Sequence, residues 1–220
     1  MNILVPNEVR TASSSLDQYV VLAPVSWDTY EKLVTDLGDT SSVRLTYEDG
    51  VLGIMRPSAE HEMWNRQIER LIGIALLETG TNARFLGSTT FKHPEESCGF
   101  EPDSCYYIRR FSQVKGLQKI DLSQHPAPDL VVEINVSQPL KSDRTGLFAR
   151  LGIPEVWYFS DNQLKIFHLL EGTYQERESS LALPILTARV LNEFLAKLLE
   201  TEDISLFQDF QSWVRSHAAK

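Results

Sequence analysis

The sequence predicts a mixed α/β or α+β domain, and three observations lead there. Helical periodicity occupies separate segments near residues 27–37, 58–79 and 190 onward. Between them lie short β-prone runs, several joined by turn signals such as Asp49-Gly50 and Glu171-Gly172. One succession, at 129–136, 142–151 and 155–159, reads as a strand, a helix and a strand in crossover order. At 220 residues, 42% hydrophobic and 23% charged, the chain has material for one core with short terminal additions. The expected layout is an N-terminal extension over 1–25, a sheet domain over 26–189, and a helical segment over 190–220 packed on the same domain.

Each element has a local cause. Ser26 caps a helix in which Tyr30, Leu33, Val34 and Leu37 recur at helical spacing, and Gly38 ends it. The runs Val43–Tyr47 and Val51–Met55 flank Glu48-Asp49-Gly50, where glycine accepts the positive φ of a tight hairpin. Pro57 and Ser58 open the longest helix, which stops near Thr79 before Gly80. Its stripe of Trp64, Ile68, Leu71, Ile72, Ala75 and Leu76 packs on a sheet, while Glu62, Arg66, Glu69 and Arg70 face away. Strands are expected at 83–86, 89–92, 102–108, 129–136, 155–159 and 163–170, and Leu191, Phe194, Leu195 and Leu198 mark a terminal amphipathic helix.

Composition excludes several classes. Acidic residues outnumber basic ones 30 to 21, for a net charge of −9, which argues against a protein that coats nucleic acid by broad electrostatic attraction. It leaves room for an enzyme with a local basic rim. No run reaches the roughly 18 to 20 apolar residues of a membrane span, and Met1–Val9 has no secretory pattern. Cys98 and Cys105 read as reduced thiols of a cytoplasmic protein. The five histidines show no zinc spacing.

Pro128–Val136 carries the most chemistry. With a period of two, Asp129, Val131, Glu133 and Asn135 share one face, and Leu130, Val132, Ile134 and Val136 form an apolar one. Such a strand is central and covered on both sides. A mid-strand Glu133 there needs a metal ion or a polar cluster as partner. Glu101 and Asp103 sit at the start of another strand, so the acids together suit Mg²⁺ or Mn²⁺. Glu60, one turn before Trp64, is expected to reach inward, alone or with His61, and Glu62 to face solvent. Plainer readings exist: Asp103 and Asp129 as strand-entry residues, Glu60 as an acid favoured at a helix N-terminus, and the basic residues Arg109, Arg110, Lys115 and Lys119 as a solvated loop.

The order of these motifs resembles the PD-(D/E)XK nuclease core, and more narrowly the Uma2 family (DUF820) of restriction-endonuclease-like proteins, abundant in cyanobacteria. The residues that carry the resemblance are the Tyr47–Met55 hairpin with Pro57 and His61, Glu101–Ile108, Pro128–Glu133, and Leu151–Trp157. The resemblance implies a central mixed β-sheet flanked by helices and a Mg²⁺-dependent DNA endonuclease acting as a homodimer. Asp103 and Glu133 would be its metal ligands, with the Ile134 carbonyl beside them and Glu60 as an assisting acid. The metal would polarise the phosphodiester and activate water. The chain departs from the pattern at Asn135, which stands where the motif has lysine. Asn135 with Lys141 is expected near the attacking water; the missing cation could come from Lys141 or Arg144, or be absent. In the last case the fold would serve as a non-enzymatic DNA- or protein-binding homodimer.

Overall fold

A computed structural model describes residues 16–38, 42–136, 144–198, 200 and 202–218. Lys141 therefore lies outside the described residues. Two sheets divide the strands. Strand β1 (Gln18–Leu22) precedes helix α1 (Trp27–Leu37), and strands β2 (Arg44–Glu48) and β3 (Val51–Arg56) form the expected hairpin. Asp49 and Gly50 both have positive φ, 46° and 89°, at its turn. The long helix α2 (Ala59–Glu78) follows, with Ser58 accepting the His61 N–H as its cap.

Strands β4 (Arg84–Phe85), β5 (Phe91–His93), β6 (Cys98–Phe100) and β7 (Ser104–Tyr107) come next, then the short helix α3 (Phe111–Val114). The central strand β8 (Leu130–Asn135) leads through helix α4 (Thr145–Arg150) to β9 (Glu155–Ser160), β10 (Gln163–Leu170) and β11 (Thr173–Arg177). Helices α5 (Ala188–Lys197) and α6 (Asp203–Ala218) end the chain. The first sheet has the order β1-β3-β2-β6-β5; the second, β11-β10-β9-β8-β7-β4. Among the described strands only β8 and β9 pair in parallel, because α4 returns the chain to the same end of the sheet.

Strand β8 is central, as its sequence predicts. Leu130, Val132 and Ile134 pack with α2, α5 and α6 in the larger core. Val131 lies on the other face with Cys105, Tyr107, Leu147 and Phe148, against Phe91 and Phe100 of the first sheet. The first sheet and α4 thus cover the face that also carries Glu133. Phe210 is fully buried, and Phe207 and Trp213 pack against the protomer's own core. These terminal-helix aromatics, which could serve a dimer or cap the protomer's own sheet, do the latter.

Two strands have no counterpart in the sequence reading. Gln18–Leu22, assigned to the N-terminal extension, is the edge of the first sheet and pairs antiparallel with β3. Strand β6 is three residues long, too short for a periodic signal. Both are defined by their partners. Strand β11, hinted at only by the Glu171-Gly172 turn, completes the far edge of the second sheet.

Candidate functional site

The chain passes from the first sheet to the second over Glu101-Pro102-Asp103, between β6 and β7. Proline has no N–H to continue a ladder, and the sheets separate here. Ser104 pairs with Val132, so the antiparallel register continued by one residue sets Asp103 opposite Glu133. Directly opposed antiparallel residues share a face. Both carboxylates are almost fully buried, Asp103 at 2% and Glu133 at 1% exposure. The two acids singled out in the sequence therefore come together on one side of the second sheet.

Asp103 is fixed from several directions. Its Oδ2 accepts the Ile134 N–H at 2.7 Å, taking the place of a strand partner where β7 begins. Its Oδ1 accepts Arg44 Nε–H at 2.9 Å and lies 2.9 Å from His61 Nε2. The His61 N–H is poorly aligned on that oxygen, so the contact is chiefly electrostatic. Arg44 also donates to Glu62 Oε1 at 2.6 Å, and Asn65 donates to the Asp103 carbonyl at 3.1 Å.

His61 is buried between two acids, with Nδ1 3.1 Å from Asp17 Oδ2. Burial disfavours its charged form, but Asp103 and Asp17 outweigh that and push its pKa up to about 9. Burial would raise the Asp17 carboxyl, yet hydrogen bonds from His61 and the Ser58 N–H hold it below the usual range.

Arg144 closes the site from the start of α4. Its Nη1 donates to Glu133 Oε1 at 3.3 Å and to the Glu101 carbonyl at 3.1 Å. Only 4% exposed, it carries a buried Nε–H with no acceptor. Burial opposes its charge, while Glu133 and Asp103 raise its pKa above the ordinary arginine value. Glu101 accepts the Leu45 N–H and the Thr90 hydroxyl, and burial pushes its carboxyl up in spite of both.

The structure corrects one expectation outright. Glu60 is exposed and does not reach inward; His61 takes that place and Glu62 joins through Arg44. The buried stripe of α2 is wide and includes Trp64, Leu71 and Ala75 in phase with Glu60, but in the first turn only His61 is buried, against Asp103 and Asp17. Asp129 serves the fold: its Oδ2 accepts the Ile108 and Arg110 N–H groups at 2.7 and 2.9 Å. Asn135 is half-buried at the end of β8. Arg44 and Asp17 were missed, since nothing local marks an arginine 59 residues from its carboxylate partner.

Carboxylate oxygens are the ligand type of a hard divalent cation, and Asp103 and Glu133 are the two acids that would offer them. Among the described residues no group of three or more acids, histidines or cysteines is arranged to hold a metal. Mg²⁺ is commonly held by one or two carboxylates and keeps several waters, which Asp103 and Glu133 match. The buried Arg144 Nε–H, without an acceptor among the described residues, cannot ligate a cation but can meet an anionic oxygen.

Comparison with known proteins gives a family and a fold. The family model described as "Uma2: Putative restriction endonuclease" matches residues 27–198. Among solved structures, the chain resembles a protein from Anabaena variabilis described as a "putative nuclease belonging to DUF820". The TM-score is 0.53 at 16% identity, over 78% of this chain and 99% of that one; a likeness at that identity speaks for the fold alone. No curated protein matches. Among the described residues no helix is long and apolar enough to cross a membrane.

Proposed function

We propose, because the chain belongs to the Uma2 family, that it is a Mg²⁺- or Mn²⁺-dependent DNA endonuclease hydrolysing phosphodiester bonds. The observation that carries this reading is the placement of buried Asp103 and Glu133 in opposed register beside Arg144. Asp103 and Glu133 would hold the metal, with the Ile134 carbonyl nearby. A bound divalent ion supplies a Lewis acid for the phosphodiester and lowers the pKa of water.

The protein's own residues do the rest. The Ile134 N–H, Arg44 and His61 fix the Asp103 carboxylate, so its orientation is set before substrate arrives. Arg144 supplies the cation that neutral Asn135 does not, aimed at charge that develops on the non-bridging oxygens. Asn135 orients water, and Lys141 belongs to the same reading. Glu60, being exposed, has no part in it.

A homodimer in the cytoplasm completes the proposal. It is supported by β1, an edge of the first sheet among the described residues, where Val20, Val21 and Leu22 are 52%, 50% and 45% exposed.

The test is cleavage of supercoiled plasmid with Mg²⁺ or Mn²⁺. Wild type should nick it, and Asp103→Asn or Glu133→Gln should reduce the rate at least a hundredfold while preserving the fold by circular dichroism. Unchanged cleavage in both variants would end the assignment. A second reading, a catalytically degenerate nuclease fold that binds DNA or protein, is favoured by the cationic partners that both carboxylates already have. Calorimetric titration with Mn²⁺ separates the two, since the degenerate form binds none at millimolar metal.

A further inference from the structure

We propose that the groove beside Arg44 and Glu101 binds one nucleic-acid strand by its phosphates, so that the site acts on single-stranded segments. The inference rests on the nuclease reading for its chemistry, but the groove stands on its own geometry. It encloses about 890 Å³ and shares Arg44 and Glu101 with the carboxylate site. That volume is at the upper end of pockets that hold small ligands. It is of the order a few nucleotides occupy.

The lining has the chemistry of a phosphate track. Arg84, Lys92 and Lys119 line it, and Arg44 stands where the groove meets Asp103; the Thr89 and Thr90 hydroxyls in the lining donate to the Leu86 carbonyl and to Glu101. Glu31, Glu101 and Asp121 also line it, each with a partner of its own. Asp121 accepts from Ser123 and Gln124, and Glu101 from Leu45 and Thr90. Glu31 meets Lys92 in an exposed pair at 3.4 Å, a contact of the kind that contributes little and yields readily to phosphate. Lys119 has no ion-pair partner among the described residues.

Among the described residues no aromatic side chain lines the groove, so binding is led by the backbone and tolerant of sequence. The net charge of −9 works against a wide duplex footprint, because most of the surface repels phosphate. A short single strand confined to the local cations escapes most of that repulsion.

The experiment is fluorescence anisotropy with the full chain and a labelled single strand of about 12 nucleotides, against the same sequence as a duplex. Chelator prevents cleavage, and melting curves confirm that each variant is folded. Wild type should prefer the single strand. Lys92→Ala and Lys119→Ala should each lower the slope of log affinity against log salt by about 0.7. Each lost contact then changes the ratio of wild-type to variant affinity by about 2.6-fold between 50 and 200 mM salt. A preference for duplex, or a Lys92→Ala/Lys119→Ala protein with unchanged affinity and slope, would overturn the proposal. Plasmid cleavage alongside unchanged strand binding in the variants defeats the groove and leaves the nuclease reading. Variants that lose strand binding while wild type cleaves with no metal do the reverse.

Discussion

Replacing Arg144 with methionine tests how the buried charge is balanced. Methionine retains much of the apolar stem but removes the guanidinium that lies 3.3 Å from Glu133 Oε1. Breaking a buried ion pair from one side costs about 3–5 kcal/mol, because the remaining charge is left in a poor solvent. The 3.3 Å contact is long for a charge-assisted hydrogen bond, and Arg144 Nε–H has no acceptor, so the low end, about 3 kcal/mol, applies. For a chain of this size each kcal/mol moves the melting temperature by about 2–4 °C, giving a drop of about 6–12 °C.

Two further measurements identify the cause. Glu133→Gln combined with Arg144→Met should recover most of the loss, since no carboxylate remains to be neutralised. Millimolar Mn²⁺ should raise the melting temperature of Arg144→Met more than that of wild type, because a metal that binds only the folded state stabilises it by mass action. Differential scanning calorimetry reads all of these. A loss below about 1 kcal/mol for Arg144→Met, with no recovery in the double variant, would show that Glu133 is balanced without the guanidinium.

His61 gives a pH prediction of definite sign. Its pKa in the folded protein, about 9, lies above the ordinary value of 6.5. Its contribution to stability is therefore complete below about pH 6.5 and is lost as pH rises through 9. Thermal melts from pH 6 to 10 should show wild-type stability falling across that window and a flatter curve for His61→Gln; parallel curves would refute the charge assignment. Gly99→Ala probes the first sheet. A Cβ there would collide with the phenol of Tyr30, which is fully buried and cannot swing aside. Overpacking of this kind costs about 1–3 kcal/mol, and a Tyr30→Phe background should relieve part of it by removing the hydroxyl, as urea denaturation would measure.

Much of the architecture was legible in the chain because its causes are local. Alternation over Leu130–Asn135 marks a two-faced central strand, Asp49-Gly50 marks the hairpin, and Ser58 with a stripe of apolar residues marks α2. Asp103 and Glu133 could be paired as candidates because each stands out within its own segment.

Other features required the assembled sheets. On a helix, adjacent residues differ by about 100°, so the pattern that locates the buried stripe of α2 does not separate Glu60 from His61; packing against Asp103 and Asp17 does. Strand β1 has no pattern that sets it apart until β3 offers an edge to pair with. Arg44 reaches Asp103 across 59 residues and Asp17 reaches His61 across 44. The sequence by itself determined the longer helices and strands and which acids are out of place in apolar surroundings. Only the tertiary structure decided which cations neutralise those acids, because charge pairing depends on distance through space and leaves no periodic trace along the chain.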